Sequence, residues 1–361
     1  MKKLISMLLA LVMLFALAAC GGSAAPLESA APSESAASEE TPAAETADVS
    51  KDPVVNLSFG GTFAADDLAT QAMERIAANA KEQSGGTIVI NVFPASQLGD
   101  AVAQIESMIG GAEDMVIEAQ GSYMQQYGVM EAAVNSFGLV YSQELLSKEL
   151  QSDFWAGLET KFLESTGVRT LANNFVRQPT VIASKTPLRS TEDFKGVKLR
   201  TVSSQVTMDV YNSLGFSTTP VAFNEVYLSL QQGVIDATIA SLDQQYTMGF
   251  YENAPYITMW GNSCTNIAVW INDAKFQSMT PAQQEILINC CKEAGDWYCE
   301  QSNAVVGDYM KAMEEAGAEF IYLDEATTAD MNSKIAEVAE KYEAEGKWPA
   351  GTYAELEAIV G

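Results

Sequence analysis

Between Val54 and Ile117 the apolar residues switch repeatedly between the period of a strand and that of a helix, and this order leaves few folds open. Asn56 to Phe59, after Val54-Val55, reads as a strand that ends at Gly60-Gly61-Thr62. Leu68, Ala72, Ile76 and Ala80 then recur every fourth residue and predict a helix to about Glu82. Gly85-Gly86 stop it, and Ile88 to Phe93 form a β-branched strand. After the loop Pro94 to Gly99, Ala101, Val102, Ile105, Met108 and Ile109 mark a second helix, Gly110-Gly111 end it, and Met115 to Ile117 give a third strand. The order βαβαβ predicts an α/β sheet with crossover helices.

The alternation returns downstream. Strands are expected at 168–172, 197–202, 217–221, 236–240 and 318–323, with helices over 206–214 and 226–230. Thr280-Pro281-Ala282-Gln283 is a capping box with Pro at the first helical position. It opens a helical pattern to about Glu315, interrupted at Gly295 and Gly307, and long enough to span two lobes rather than lie in one. Two short helices are expected to close the chain. Two α/β units joined by crossing segments predict a ligand cleft between lobes. Lobe I is placed at 51–174 plus about 265–305, lobe II at 175–264 plus about 306–340, and a helical tail at 341–361.

Residues 1–50 read as a delivery system. Lys2 and Lys3 precede an apolar run from Leu4 to Ala19, shorter than the roughly 20 residues that span a bilayer, so 1–19 is a signal peptide. Leu17-Ala18-Ala19-Cys20 resembles the bacterial lipoprotein box, in which the cysteine is lipidated and becomes the mature N-terminus. Residues 21–50 are rich in Ala, Ser, Pro and Glu and carry Glu28, Glu34, Glu39, Glu40, Glu45 and Asp48 without a basic residue, which predicts a disordered tether. The head is therefore expected outside the cytoplasm, lipid-anchored to the cell membrane.

Composition excludes whole classes of chemistry. The chain has no histidine, so Ser-His-Asp and Cys-His catalysis and His-ligated metal centres are ruled out. A net charge of −27 argues against nucleic acid, which needs clustered Lys and Arg. Cys290, Cys291 and Cys299 fall on one helical pattern, too far apart along it or too closely adjacent to bridge. Pairing of Cys264 with one of them is the alternative to free buried thiols. No CxxC spacing points to a metal, and no cofactor is expected.

Three stretches carry a specific resemblance. They are Phe93-Pro94-Ala95-Ser96-Gln97-Leu98-Gly99-Asp100; Ser184 to Leu188 followed by Thr191-Glu192-Asp193-Phe194-Lys195-Gly196-Val197-Lys198-Leu199-Arg200; and Pro220-Val221-Ala222-Phe223-Asn224-Glu225-Val226-Tyr227 leading to Leu230-Gln231-Gln232-Gly233-Val234-Ile235-Asp236. In this order they resemble the solute-binding subunits of TRAP transporters, the tripartite ATP-independent periplasmic systems, over about residues 54–345. The resemblance implies a two-lobed periplasmic-binding-protein-like fold, without enzymatic activity, that closes around a small organic acid. It also implies delivery to the membrane subunits of an ion-gradient-driven permease, with the binding protein acting as a monomer. The other readings are a binding protein for an ATP-driven importer or a sensor, and a carboxylate-based surface hydrolase.

By that resemblance Arg200 holds the ligand carboxylate, Arg177 of Arg177-Gln178 is the second family arginine, and Phe223 lines the pocket. A guanidinium fork suits a carboxylate, although spacing alone favours pairing of Arg200 with one of the protein's own acids, an order the resemblance reverses. Where many members carry a ligand-contacting asparagine, this chain has Ala240, which disfavours a sialic or sugar acid. Glu118, Gln120 and Tyr123 follow one strand, and Ser241, Asp243 and Gln244 another; each set either lines the cleft or forms a solvated loop. Trp260 and Asn262 are weaker candidates.

Overall fold

The computed structural model describes residues 48–128, 138–260 and 263–361. The signal peptide, Cys20, most of the tether and Asn262 lie outside them. Ala47–Gly361 form one compact unit.

The first half of the chain runs β1 (Val55–Gly61), α1 (Leu68–Gln83), β2 (Ile88–Phe93), α2 (Ala101–Ile109), β3 (Met115–Ala119), α3 (Gln120–Met124), α4 (Gln143–Leu150), α5 (Asp153–Thr166) and β4 (Val168–Val176). After a short crossing come β5 (Thr180–Ser184), β6 (Lys198–Thr201), α6 (Gln205–Ser213), β7 (Ser217–Pro220), α7 (Val226–Gln232), β8 (Ala237–Ser241), α8 (Leu242–Thr247) and β9 (Tyr256–Met259). The chain then crosses back into β10 (Asn266–Asn272) and α9 (Asp273–Gln277). It ends with α10 (Pro281–Glu315), β11 (Glu319–Tyr322), α11 (Glu325–Ala344) and α12 (Thr352–Val360).

Two sheets result, ordered β2-β1-β3-β10-β4 and β11-β9-β5-β8-β6-β7. The expected parallel βαβαβ unit is the β2-β1-β3 half of the first sheet. The other half is antiparallel, because β10 returns from the second sheet and inserts between β3 and β4. In the second sheet β5 runs antiparallel to both β8 and β9. The architecture is a mixed α/β fold of two lobes.

The crossings are tied to one another. Arg177 N–H donates to the Thr265 carbonyl at 2.9 Å and Thr180 N–H to the Ser263 carbonyl at 2.8 Å, so the outward and returning strands run side by side. The third connection is α10, 35 residues and about 52 Å long. Leu287, Cys290, Cys291, Ala294 and Tyr298 on it pack into the first lobe's core with Leu57, Phe59 and Val269. Met313, further along, packs into the second lobe's core with Val181, Ile235 and Ile257. Thr280 caps its start, with Gln283 closing the box and Pro281 filling a position that needs no N–H donor. Cys264, Cys290, Cys291 and Cys299 are free thiols.

Two expectations need correction. Of the two closing helices only α12 is short; α11 runs 20 residues because Met331, Ile335, Val338, Ala339 and Tyr342 give it a continuous buried stripe. Val360 of α12 joins the cluster of Leu146, Trp155 and Trp270, so the tail packs against first-lobe residues. Gly295 and Gly307 do not interrupt α10. A Cβ on Gly295 would stand 2.2 Å from Asn174 Oδ1, and the Asn174 amide is fixed by bonds to the Lys292 carbonyl at 2.9 Å and Asp296 Oδ1 at 2.8 Å. Gly295 therefore lets β4 approach the helix, whereas a Cβ on Gly307 meets nothing within 4 Å.

The two glycines should respond oppositely to alanine. Gly295→Ala is expected to cost about 1–3 kcal/mol through overpacking, while Gly307→Ala gains about 0.5–1 kcal/mol of helix propensity. Urea unfolding of the two variants measures both.

Candidate functional site

A cleft of about 750 Å³, counted to its open mouth, is lined from both sheets and from the crossings between them. Its lining comes from the carboxyl ends of the parallel strands β3, β6 and β8 and the starts of the antiparallel strands β5 and β10. This is where α/β sheets bind ligands. A second chamber of about 760 Å³ shares Tyr123, Arg200, Val202 and Phe223 with it and reaches Asp100 and Asn224.

Arg200 stands where the chambers meet. β6 is flanked by β7 and β8, with Arg200 opposite Thr219 and Thr238, which buries it to 4% exposure. Its Nε donates to the Val221 carbonyl at 2.9 Å and its guanidinium lies over the Phe223 ring at 5.6 Å. Among the described residues no carboxylate comes within ion-pair range of it. Burial without a counter-ion pushes this guanidinium down to about 10, against the opposing pull of Tyr123. The reading in which an acid of the chain neutralises Arg200 finds no partner among the described residues.

Arg177 has the opposite status. It lies in the first crossing, 2% exposed, over the Phe63 ring at 4.8 Å. Nη1 donates to Asp243 Oδ2 at 3.0 Å and, more weakly, to Ser241 Oγ at 3.4 Å. Burial works against its charge, but Tyr298, Asp243, Asp67 and Glu118 together hold its pKa above the ordinary value. Asp67 caps α1 through the Ala69 N–H and accepts a bond from Thr247 of α8 at 3.3 Å, so the network joins the lobes. One nitrogen, Nη2, is buried without a partner among the described residues, in a side chain that lines the cleft.

Glu118, near the end of β3, is buried in the cleft wall. Its Oε1 accepts from the Thr62 N–H at 3.0 Å and from the Thr62 hydroxyl. Burial pushes its carboxyl up from 4.5 to about 7, although Thr62, the Ala119 N–H and the Arg177 charge pull the other way.

The remaining candidates separate clearly. Tyr123, Phe223, Ala240, Ser241 and Gln244 line the cleft. Gln244 also caps α8, where Oε1 accepts the Ser241 hydroxyl at 3.0 Å. Asp243 serves through Arg177. Gln120 is a correction: it does not line the cleft but donates to Glu159 at 2.6 Å and accepts from Asn266 at 2.7 Å. The chain turns helical at Gln120, so the alternation that would have kept it on the face of Glu118 ends one residue too soon. Trp260 is buried against Tyr211 at 5.3 Å, in the core rather than the cleft. Sequence reasoning missed Phe63, Thr180, Tyr211, Ile239 and Ser263 in the lining. Phe63 had a signal, since it directly follows the first strand at its carboxyl end; the others depend on contacts made only in the folded chain.

Comparison with known proteins agrees with this architecture. Residues 59–345 match the model of the family described as bacterial extracellular solute-binding protein, family 7. The 2,3-diketo-L-gulonate-binding periplasmic protein of Escherichia coli (strain K12) is 28% identical over 247 residues, covering 67% of this chain and 73% of that protein. The sialic acid-binding periplasmic protein of Vibrio cholerae is 25% identical over 281 residues, 77% of this chain and 86% of that one. A TRAP periplasmic solute-binding protein of Roseobacter denitrificans, solved with bound L-galactonate, superposes with a TM-score of 0.77 at 22% identity. That likeness, which covers 86% of this chain and all of the other, concerns the fold.

Glu118 gives a pH test of the site. Its proton is kept in the folded state but lost from the unfolded chain as pH rises from 4.5 to about 7, so it withdraws stability across that window. The full loss is about 3 kcal/mol. Glu118→Gln, neutral throughout, should lose about that much less than the parent between pH 4.5 and pH 8 in urea unfolding. The other titrating groups are common to both proteins.

Proposed function

The chain belongs to family 7 of the bacterial extracellular solute-binding proteins, and from that membership we propose that it captures a small organic acid in the interlobe cleft, with the carboxylate on Arg200. The observation that carries this reading is a guanidinium 4% exposed, lining a cleft and lacking an acidic partner among the described residues. Removing a cation from water without a counter-charge is costly, and a ligand carboxylate with two parallel hydrogen bonds repays that cost. The stack on Phe223 and the bond to Val221 hold the fork in place before the ligand arrives.

A local cation is needed because the protein as a whole repels anions. At −27 the chain opposes an acid at long range, though salt confines this to about 8 Å. Arg177, neutralised by Asp243, offers only its remaining Nη2. Ala240 in the wall removes a polar contact and leaves room for a hydrocarbon part of the ligand.

The head then hands the acid to the membrane subunits of a TRAP-type permease, a step supported by the three motif stretches and by family membership. Leu17-Ala18-Ala19-Cys20 and the polar leash behind it support a lipid anchor at Cys20, which holds the head at the outer face of the cell membrane.

Arg200→Ala should weaken binding of any acid that raises the melting temperature of the purified protein. The expected loss is about 3–5 kcal/mol, or roughly a hundred- to several-thousand-fold. Arg200→Lys should lose much of it too, because the fork geometry goes. Titration calorimetry measures both, and unchanged affinity in Arg200→Ala would refute the anchor. For the tether, Cys20→Ser should move the protein from the membrane fraction to the soluble one.

A further inference from the structure

Carboxylate capture leaves one buried group in the cleft unused. Glu118 lines the same chamber as Arg200 and is 3% exposed. Both Thr62 bonds fall on Oε1, and Oε2 makes no side-chain hydrogen bond among the described residues. The groups that act on it are Thr62 beyond β1, the Ala119 N–H, Tyr123 on α3 and Arg177 in the crossing. Among the described residues the cation acting on it, Arg177, is committed to Asp243 at 3.0 Å and also answers to Asp67.

The cleft thus presents a buried cation and a buried acid, neither of them in an ion pair among the described residues. Each is displaced in the direction of an unmatched charge, Arg200 down to about 10 and Glu118 up to about 7. No ion pair joins the two among the described residues. The Tyr123 hydroxyl feels both: burial pushes it up, Glu118 adds to that and Arg200 opposes it. A dicarboxylate would set its second anion against Glu118, whereas a neutral hydroxyl would leave the Glu118 proton in place and form no charge pair with it.

We propose that the ligand is a zwitterion of the amino-acid class, with its carboxylate on Arg200 and its protonated amine on Glu118. This rests on the carboxylate reading above and adds a second recognition point to it. Val202, Tyr211, Ile239 and Ala240 then cover a hydrocarbon side chain. As the ammonium arrives, the carboxyl proton of Glu118 passes to the buffer and the carboxylate pairs with the amine.

Proton release separates this idea from its rivals. The full-length protein is titrated at pH 7 with L-leucine, L-phenylalanine and L-proline, with the matched acids that lack nitrogen (isocaproate, 3-phenylpropionate and cyclopentanecarboxylate), and with 2-hydroxyisocaproate and succinate. Each titration is repeated in phosphate and in Tris, whose ionisation enthalpies differ. At least one amino acid should bind more tightly than its nitrogen-free counterpart, with release of about half a proton from a group near pKa 7. Glu118→Gln should abolish that release and weaken the amino acid about 30-fold or more, while the nitrogen-free acid changes little. Tighter binding of the hydroxy acid or succinate, or amino-acid binding without proton release, would overturn the zwitterion and leave Arg200 as anchor. If no compound binds, the acid-capture reading falls as well. The buffer comparison on the parent protein decides the matter even where Glu118→Gln does not fold.

Discussion

The buried contact between Arg177 and Asp243 fixes the geometry on which the site depends. It lies in the crossing, where Arg177 N–H also pairs with the returning strand at Thr265. Asp67 and Tyr298 bring α1 and α10 into the same field, so one guanidinium organises groups from both lobes. Buried pairs of this kind add little net stability, but removing one partner strands the other in a low dielectric. The arrangement therefore specifies position: one wall of the cleft is held by a charge already satisfied within the chain.

The two arginines of the motif set differ in this respect. Arg177 spends its charge within the chain, while Arg200, at the edge of two chambers, has among the described residues a ring beneath it and a carbonyl bond to Val221. The aromatic partners, Phe63 and Phe223, provide a surface that holds a planar cation without neutralising it. An acidic protein gains selectivity this way, because attraction is confined to one place in its surface field.

Much of the fold was legible because its parallel parts alternate cleanly between the two periods. β1 through β3 and their helices follow the glycine punctuation of the sequence closely. β5, β9 and β10 escaped. Thr180–Ser184 is buried on both faces and Asn266–Asn272 nearly so, which erases the strand period. Their pairing also joins residues far apart in the chain. In the cleft, Arg200 and Phe223 were legible only through the motif resemblance, since spacing alone left an internal ion pair open for Arg200. Glu118 and Gln120 looked equivalent two residues apart, and the strand-to-helix change at Gln120 divided them. Tyr211 and Ser263 had no local signal, because tertiary packing alone brings them to the wall.

The insertion of β10 between β3 and β4 has a consequence for how the chain is made. The first lobe's sheet and core need residues 266–272 and the start of α10, so its N-terminal half has nothing to close upon until most of the protein has been synthesised. A ribosome adding roughly 5–20 residues per second thus holds that lobe open for much of translation. A first lobe that closes only once β10 and the start of α10 exist leaves its N-terminal strands and helices unpaired with them through most of synthesis. The same insertion that builds one wall of the cleft delays that wall until most of the chain exists.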